Sequence, residues 1–184
     1  MQMKRIDYHP EIYVIADFLS QEECTNLIAI AENIGFEEAQ VQVGENKQSM
    51  LKGVRNNERI LYMNQELADQ FWQRALPWIT SVDNYTAVGL NEQFRFYKYS
   101  PGQRFKMHKD GSFKRSETEQ SFYTFLLYLN DDFEGGATEF QEICTISPKQ
   151  GSLLIFHHPL RHEGKILIAG NKYALRSDVM YRAS

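Results

Sequence analysis

His108-Lys109-Asp110 sets an imidazole and a carboxylate two residues apart. On extended backbone such a pair points to one side, because side chains alternate with period two. His162 follows 52 residues after Asp110, directly before Glu163-Gly164. Two imidazoles and one carboxylate on one face of a metal leave the opposite face open. That arrangement suits non-haem Fe(II), which has to bind a co-substrate and O₂. Lys172 comes ten residues after His162 and Arg176 fourteen after it, both on what reads as the closing strand. A fixed cation near an open iron site is what the far end of a dicarboxylate co-substrate needs. Of the other histidines, His9 is isolated, while His157 and His158 end the apolar run Leu153-Leu154-Ile155-Phe156 and are open to a role as ligands or as donors behind them.

The ordered set His108, Asp110, Gly135-Gly136, His162-Glu163-Gly164 and Lys172-Tyr173 resembles the 2-oxoglutarate- and Fe(II)-dependent dioxygenases, most of all their prolyl 4-hydroxylase-like branch. Asp17-Phe18-Leu19-Ser20, followed by Glu22-Glu23-Cys24, is similar to the first helix of that branch, which carries the likeness into the N-terminal third. The resemblance selects His162 over His157 and His158, because Lys172 stands at the expected distance from it. It implies His108, Asp110 and His162 as the metal-binding catalytic residues. It also implies Lys172 or Arg176 as the partner of the 5-carboxylate of 2-oxoglutarate, with Lys172 first on spacing. Tyr128 matches a tyrosine whose hydroxyl assists that carboxylate, and Tyr99 stands where relatives place an active-site tyrosine. Related halogenases replace the iron carboxylate with a small residue; Asp110 is present, so hydroxylation of an unactivated C–H bond is favoured. The implied cofactors are Fe(II), 2-oxoglutarate and O₂, with ascorbate as a stimulant. The implied substrate is a peptidyl proline or a small amino-acid-like metabolite. Two other readings use the same residues: a jelly-roll domain that senses a metal or ligand without turnover, and a zinc hydrolase with a metal-bound water. The hydrolase leaves Lys172 and Tyr128 without a purpose.

Size and composition fit this outline. A chain of 184 residues is expected to form one domain with a sizeable core. Its 12 Phe and 10 Tyr favour strands. A net charge of −4 carries no electrostatic footprint for nucleic acid, so no nucleic-acid partner is expected. Two cysteines in unrelated contexts form no disulfide framework, and no signal peptide or membrane span is read from the N-terminus. A cytoplasmic protein is the expectation.

The elements that must position the site fall into two parts, a helix-and-strand support over residues 1–90 and a core over 91–184. Ile12 to Ala16 reads as a strand. Ser20 and Glu23 form a capping box before Cys24, Leu27, Ile28, Ala31 and Ile34 at helical spacing, and Gly35 closes the helix. Glu38 to Val43 is expected to be a strand and 44–52 a polar loop, and Arg55 to Arg59 a polar rim facing substrate. A second helix is expected from Asn64 to Leu76, ended by Pro77. From Asn91 the period changes to two, and strands are expected at Phe105–Asp110, Ser121–Asn130, Ala137–Phe140, Ser152–His157, Lys165–Ile168 and Lys172–Tyr181. The segment 112–120 reads equally as a lid or as a hairpin loop. The fold class is α+β, mainly β, with a double-stranded β-helix (jelly-roll) core and N-terminal supporting helices.

Overall fold

Ser20 starts the first helix as its spacing predicts. Its hydroxyl accepts from the Glu23 amide at 3.1 Å, and the Glu23 carboxylate accepts from the Ser20 amide at 2.8 Å. In the computed structural model, which describes residues 2–38, 41–42, 48–49 and 56–184, the elements follow in chain order. They begin with β1 (Lys4–His9), β2 (Ile12–Ala16), α1 (Gln21–Ile34), β3 (Glu37–Glu38), β4 (Val41–Gln42), β5 (Gln48–Ser49), β6 (Glu58–Met63) and α2 (Gln65–Ala75). Next are β7 (Tyr85–Leu90), β8 (Gln93–Tyr99), β9 (Phe105–His108), β10 (Glu119–Tyr128), β11 (Glu134–Gly135) and β12 (Thr138–Phe140). Last are β13 (Cys144–Ile146), β14 (Leu153–His157), β15 (His162–Gly164), β16 (Leu167–Ala169) and β17 (Lys172–Ala183). No helix among the described residues is long and apolar enough to cross a membrane.

Two antiparallel sheets face each other. The larger runs β1-β2-β14-β10-β17-β8-β6-β3, with β7 paired to the far end of β17, and the smaller runs β13-β12-β15-β9. Between them lie Ile12, Val14, Tyr128, Phe140, Ile146, Leu154 and Phe156, all buried. The other face of the larger sheet packs on both helices through Phe18, Cys24, Leu27, Phe71, Phe94, Phe96 and Phe125. Each such side chain contributes about 1.5–3 kcal/mol on burial. Arg74 pins α2 to the start of α1, reaching Glu23 at 2.7 Å and the Phe18 carbonyl at 2.8 Å. The jelly-roll core expected from the sequence is therefore present.

Several local expectations are adjusted. The strand expected over 105–110 ends at His108, and Asp110 lies beyond it, its amide donating to the His158 carbonyl at 3.1 Å. Strand alternation therefore does not aim Asp110; that backbone anchor fixes its main chain instead. The short strands at Cys144–Ile146 and His162–Gly164 go beyond the sequence reading, because three-residue strands carry too little alternation to read. The first 90 residues are less separate than the two-part outline implies. Strands β1, β2, β3, β6 and β7 are hydrogen-bonded into the larger sheet alongside the core strands. Helix α2 ends at Ala75 and passes into one 3-10 turn, Leu76–Trp78, over Pro77. Much of the region from Glu38 to Arg55, including most of the polar loop 44–52 and Arg55 itself, lies outside the described residues. Segment 112–120 folds as a hairpin loop, with Lys114 bridged to Gln120 and the Phe113 amide bonded to Ser121.

Candidate active site

The pairing of β9 with β15 sets His108 directly opposite His162. Their rings lie 4.3 Å apart between centroids. His108 Nδ1 is 2.7 Å from the Lys106 carbonyl and His162 Nδ1 is 3.0 Å from the Leu160 carbonyl. A carbonyl only accepts, so both Nδ1 atoms carry the proton and both Nε2 lone pairs are free. Those Nε2 atoms face the carboxylate of Asp110, at 3.6 Å from Oδ1 for His108 and 3.8 Å from Oδ2 for His162. One ligand atom from each of the three residues falls within 4.8 Å of the others, a spacing that could hold a metal ion. Packing fixes the imidazoles: Phe105 stacks on His108 at 3.5 Å, and Phe156 meets His162 edge-on at 4.5 Å.

Electrostatics favour a ligand-ready state. Burial pushes His162 down to about 4, so its ring is neutral at ordinary pH. Burial alone would raise Asp110, but charged partners, the Arg176 guanidinium first, outweigh it and hold the carboxyl well below the usual carboxylate range. Two imidazole nitrogens and one anionic oxygen are the donor set of a facial triad with open positions, so the residues present fit Fe(II).

The rest of the pocket is floored by β8, β10 and β17. Lys172, paired across the sheet with Tyr99, points inward from the start of β17 and is 5% exposed. Its Nζ donates to the Gly136 carbonyl at 2.6 Å and lies 5.4 Å from the ring centres of both Tyr99 and Tyr128. Among the described residues no carboxylate pairs with it, and burial pushes its pKa down to about 8. Gly135 and Gly136 make this approach feasible. Both have positive φ, and a Cβ on Gly136 would crowd the Lys172 side chain, meeting its Cδ at 3.2 Å.

Arg176 shares the parity of Lys172 and lines the same pocket, but its guanidinium is committed near the histidines. It lies 3.3 Å from Asp110 Oδ2 and 3.0 Å from Asp178 Oδ1. Tyr128 lies behind the pocket wall, its hydroxyl hydrogen-bonded to Thr138 Oγ1 at 2.7 Å, and Thr138 is the residue that lines the cavity. His157 turns away to Glu11 at 2.8 Å, whereas His158 is buried behind Asp110. Sequence reasoning missed Thr124, whose hydroxyl donates to Asp110 Oδ2 at 2.5 Å. Its parity with Tyr128 on one strand was the available signal. Asp178, 1% exposed and paired with Arg95 and Arg176, was missed as well.

Residues 94–177 match the family model described as the 2OG-Fe(II) oxygenase superfamily. The chain is similar to prolyl 4-hydroxylase 1 of Arabidopsis thaliana, with 31% identity over 73% of this chain and 48% of that protein. It spans about half the length of the curated relatives it matches. Among solved structures, it resembles the viral collagen prolyl hydroxylase from Paramecium bursaria chlorella virus-1 in its 2-oxoglutarate complex. That likeness has a TM-score of 0.68 at 22% identity and covers 94% of this chain and 97% of that one. A prolyl hydroxylase from Trichoplax adhaerens, solved with a hypoxia inducible factor peptide fragment, gives a TM-score of 0.70 at 18% identity, over 92% of this chain and 83% of that one. Residues 94–177 thus belong by that match to the 2OG-Fe(II) oxygenase superfamily, and the chain is prolyl hydroxylase-like in fold.

Proposed function

We propose that this protein hydroxylates an unactivated C–H bond, with a peptidyl proline as substrate, using Fe(II), 2-oxoglutarate and O₂. The observation that carries the reading is one pocket with two chemically distinct ends. The two free Nε2 atoms and the Asp110 carboxylate converge at one end, and the buried Lys172 ammonium stands at the other. His108, Asp110 and His162 would hold the iron, and Lys172 would take the 5-carboxylate of 2-oxoglutarate. Arg176 would act on Asp110, because its guanidinium is already shared between two carboxylates. When bound, the iron supplies the oxidative decarboxylation of 2-oxoglutarate to succinate and CO₂ and the oxidation of the substrate C–H bond. The protein's own part is geometric: both imidazoles are aimed, His162 is held neutral, and Phe105, Phe156 and Leu126 exclude water around them. No protein general base is required to remove the hydrogen atom.

Two solved relatives, a collagen prolyl hydroxylase and a prolyl hydroxylase holding a peptide, support a peptidyl proline over a free metabolite. A zinc hydrolase built on the same three ligands would leave the buried Lys172 unexplained.

The test is anaerobic addition of Fe(II) and 2-oxoglutarate to the apoprotein, watching for the visible metal-to-ligand charge-transfer band. A band that needs both additions and is lost in His162→Ala supports the reading. Bound metal without a band overturns it. Proline-containing peptides are then assayed by mass for the gain of one oxygen atom, with succinate formed in step.

A further inference from the structure

Behind Asp110 runs a directed chain of hydrogen bonds through the buried Thr124, His158 and Ser121. Thr124 Oγ1 lies 2.5 Å from Asp110 Oδ2 and 3.0 Å from His158 Nδ1. The Asp110 carboxylate can only accept, so the single Thr124 proton goes to it, and His158 Nδ1 must be the N–H that donates to Thr124. That fixes the tautomer and leaves His158 Nε2 as an acceptor. Ser121 Oγ, 2.9 Å away, donates to it and in turn accepts from the Phe113 amide at 2.8 Å. The His158 main chain closes the circuit, its carbonyl accepting from the Asp110 amide at 3.1 Å. Every member of the chain has one consistent role, and bonds aligned in this way strengthen one another.

The consequence falls on one carboxylate oxygen. Oδ2 receives the Thr124 hydroxyl and lies 3.3 Å from the Arg176 guanidinium, whereas among the described residues Oδ1 faces only the His108 Nε2, at 3.6 Å. We propose that His158, acting through Thr124, is a positioning residue that occupies Oδ2 and so presents Asp110 to the metal through Oδ1 alone. This rests on the reading of His108, Asp110 and His162 as metal ligands. It gives a buried histidine outside that ligand set a defined task.

Co(II), added anaerobically to the apoprotein, tests the proposal without turnover. Affinity is read by competition with a chromophoric chelator, and the ligand arrangement by the visible d–d spectrum at saturation. Thr124→Val keeps the side-chain shape and removes the hydroxyl. It is expected to weaken Co(II) binding by about 10–100-fold, the usual effect of losing an outer hydrogen-bond partner. It is also expected to change the saturated spectrum, because Oδ2 is freed to chelate. His158→Leu should match that loss, His158→Asn should restore most of it through its side-chain N–H, and the pair Thr124→Val with His158→Leu should lose little more than either alone. If Thr124→Val binds Co(II) as tightly as the unsubstituted protein, the proposal is overturned whatever the spectrum. A loss of affinity with an unchanged spectrum also overturns it, since the effect is then on folding and not on the carboxylate. If the unsubstituted protein takes up no metal, the assignment of the ligands fails first and the proposal falls with it.

Discussion

The two ends of the pocket solve opposite electrostatic problems. At the histidine end, Asp110 is buried but compensated: Arg176 lies beside it, Thr124 donates to it, and Asp178 and Arg95 continue the network outward. At the other end Lys172 is just as deep, yet among the described residues its Nζ has only the Gly136 carbonyl and the faces of two tyrosines. The first end is arranged to keep one shape whether or not anything is bound. The second holds a charge whose compensation is expected from a ligand, because a buried ammonium without a carboxylate is costly. Rigidity and affinity are thus assigned to different residues of one cavity.

The largest effect expected from breaking the first end is loss of turnover. His108→Ala and Asp110→Ala each remove a proposed iron ligand, and succinate formation in a standard turnover assay should fall to background. Arg176→Met is next. It leaves Asp110 and Asp178 buried with one less cation, and should destabilise the apoprotein by about 3–5 kcal/mol in a denaturant titration. Lys172→Met should separate the two ends most clearly. The apoprotein is expected to melt no lower than the parent, while 2-oxoglutarate affinity, followed by the charge-transfer band, drops by at least about tenfold, or ~1.4 kcal/mol. If Arg176→Met instead shows the greater loss of 2-oxoglutarate affinity, the division of labour is reversed.

The smallest effect is one of pH, and its sign follows from burial. Lys172 is pushed down to about 8, so the folded protein gives up this proton well before the unfolded chain does. Charging it costs stability in full below pH 8, and the cost is relieved as pH rises from about 8 towards the unfolded value of about 10.4. Binding a dicarboxylate favours the charged form, so the linkage reverses. Affinity for 2-oxoglutarate should weaken as pH rises above about 8, and Lys172→Arg should remove that dependence. Isothermal titration at a series of pH values checks both; a flat profile in the parent protein would show that Lys172 stays charged throughout.

Much of this was legible before any coordinates. The capping box at Ser20 and Glu23, the stop at Gly35 and the long strand from Lys172 are local features, written within a few residues and decided by backbone hydrogen bonding and period. So was the order His108, Asp110, His162, Lys172, since the residue types name the chemistry and the resemblance supplies the spacing. What sequence order leaves open is contact between distant strands. That His108 stands opposite His162 depends on the register of two short strands on either side of a 53-residue intervening stretch, and a shift of one residue would turn a side chain to the other face. The fate of Arg176 was open for the same reason. Parity put it in the pocket beside Lys172, but only the tertiary structure brought Asp110 and Asp178 to it. His158 shows the limit most clearly. Read along the chain it is one of two adjacent histidines at a strand end; the packing of Ser121 and Thr124 against its two nitrogens gives it a tautomer and a direction. The residue types determine which atoms can donate, accept or ligate, and the fold decides which of them meet.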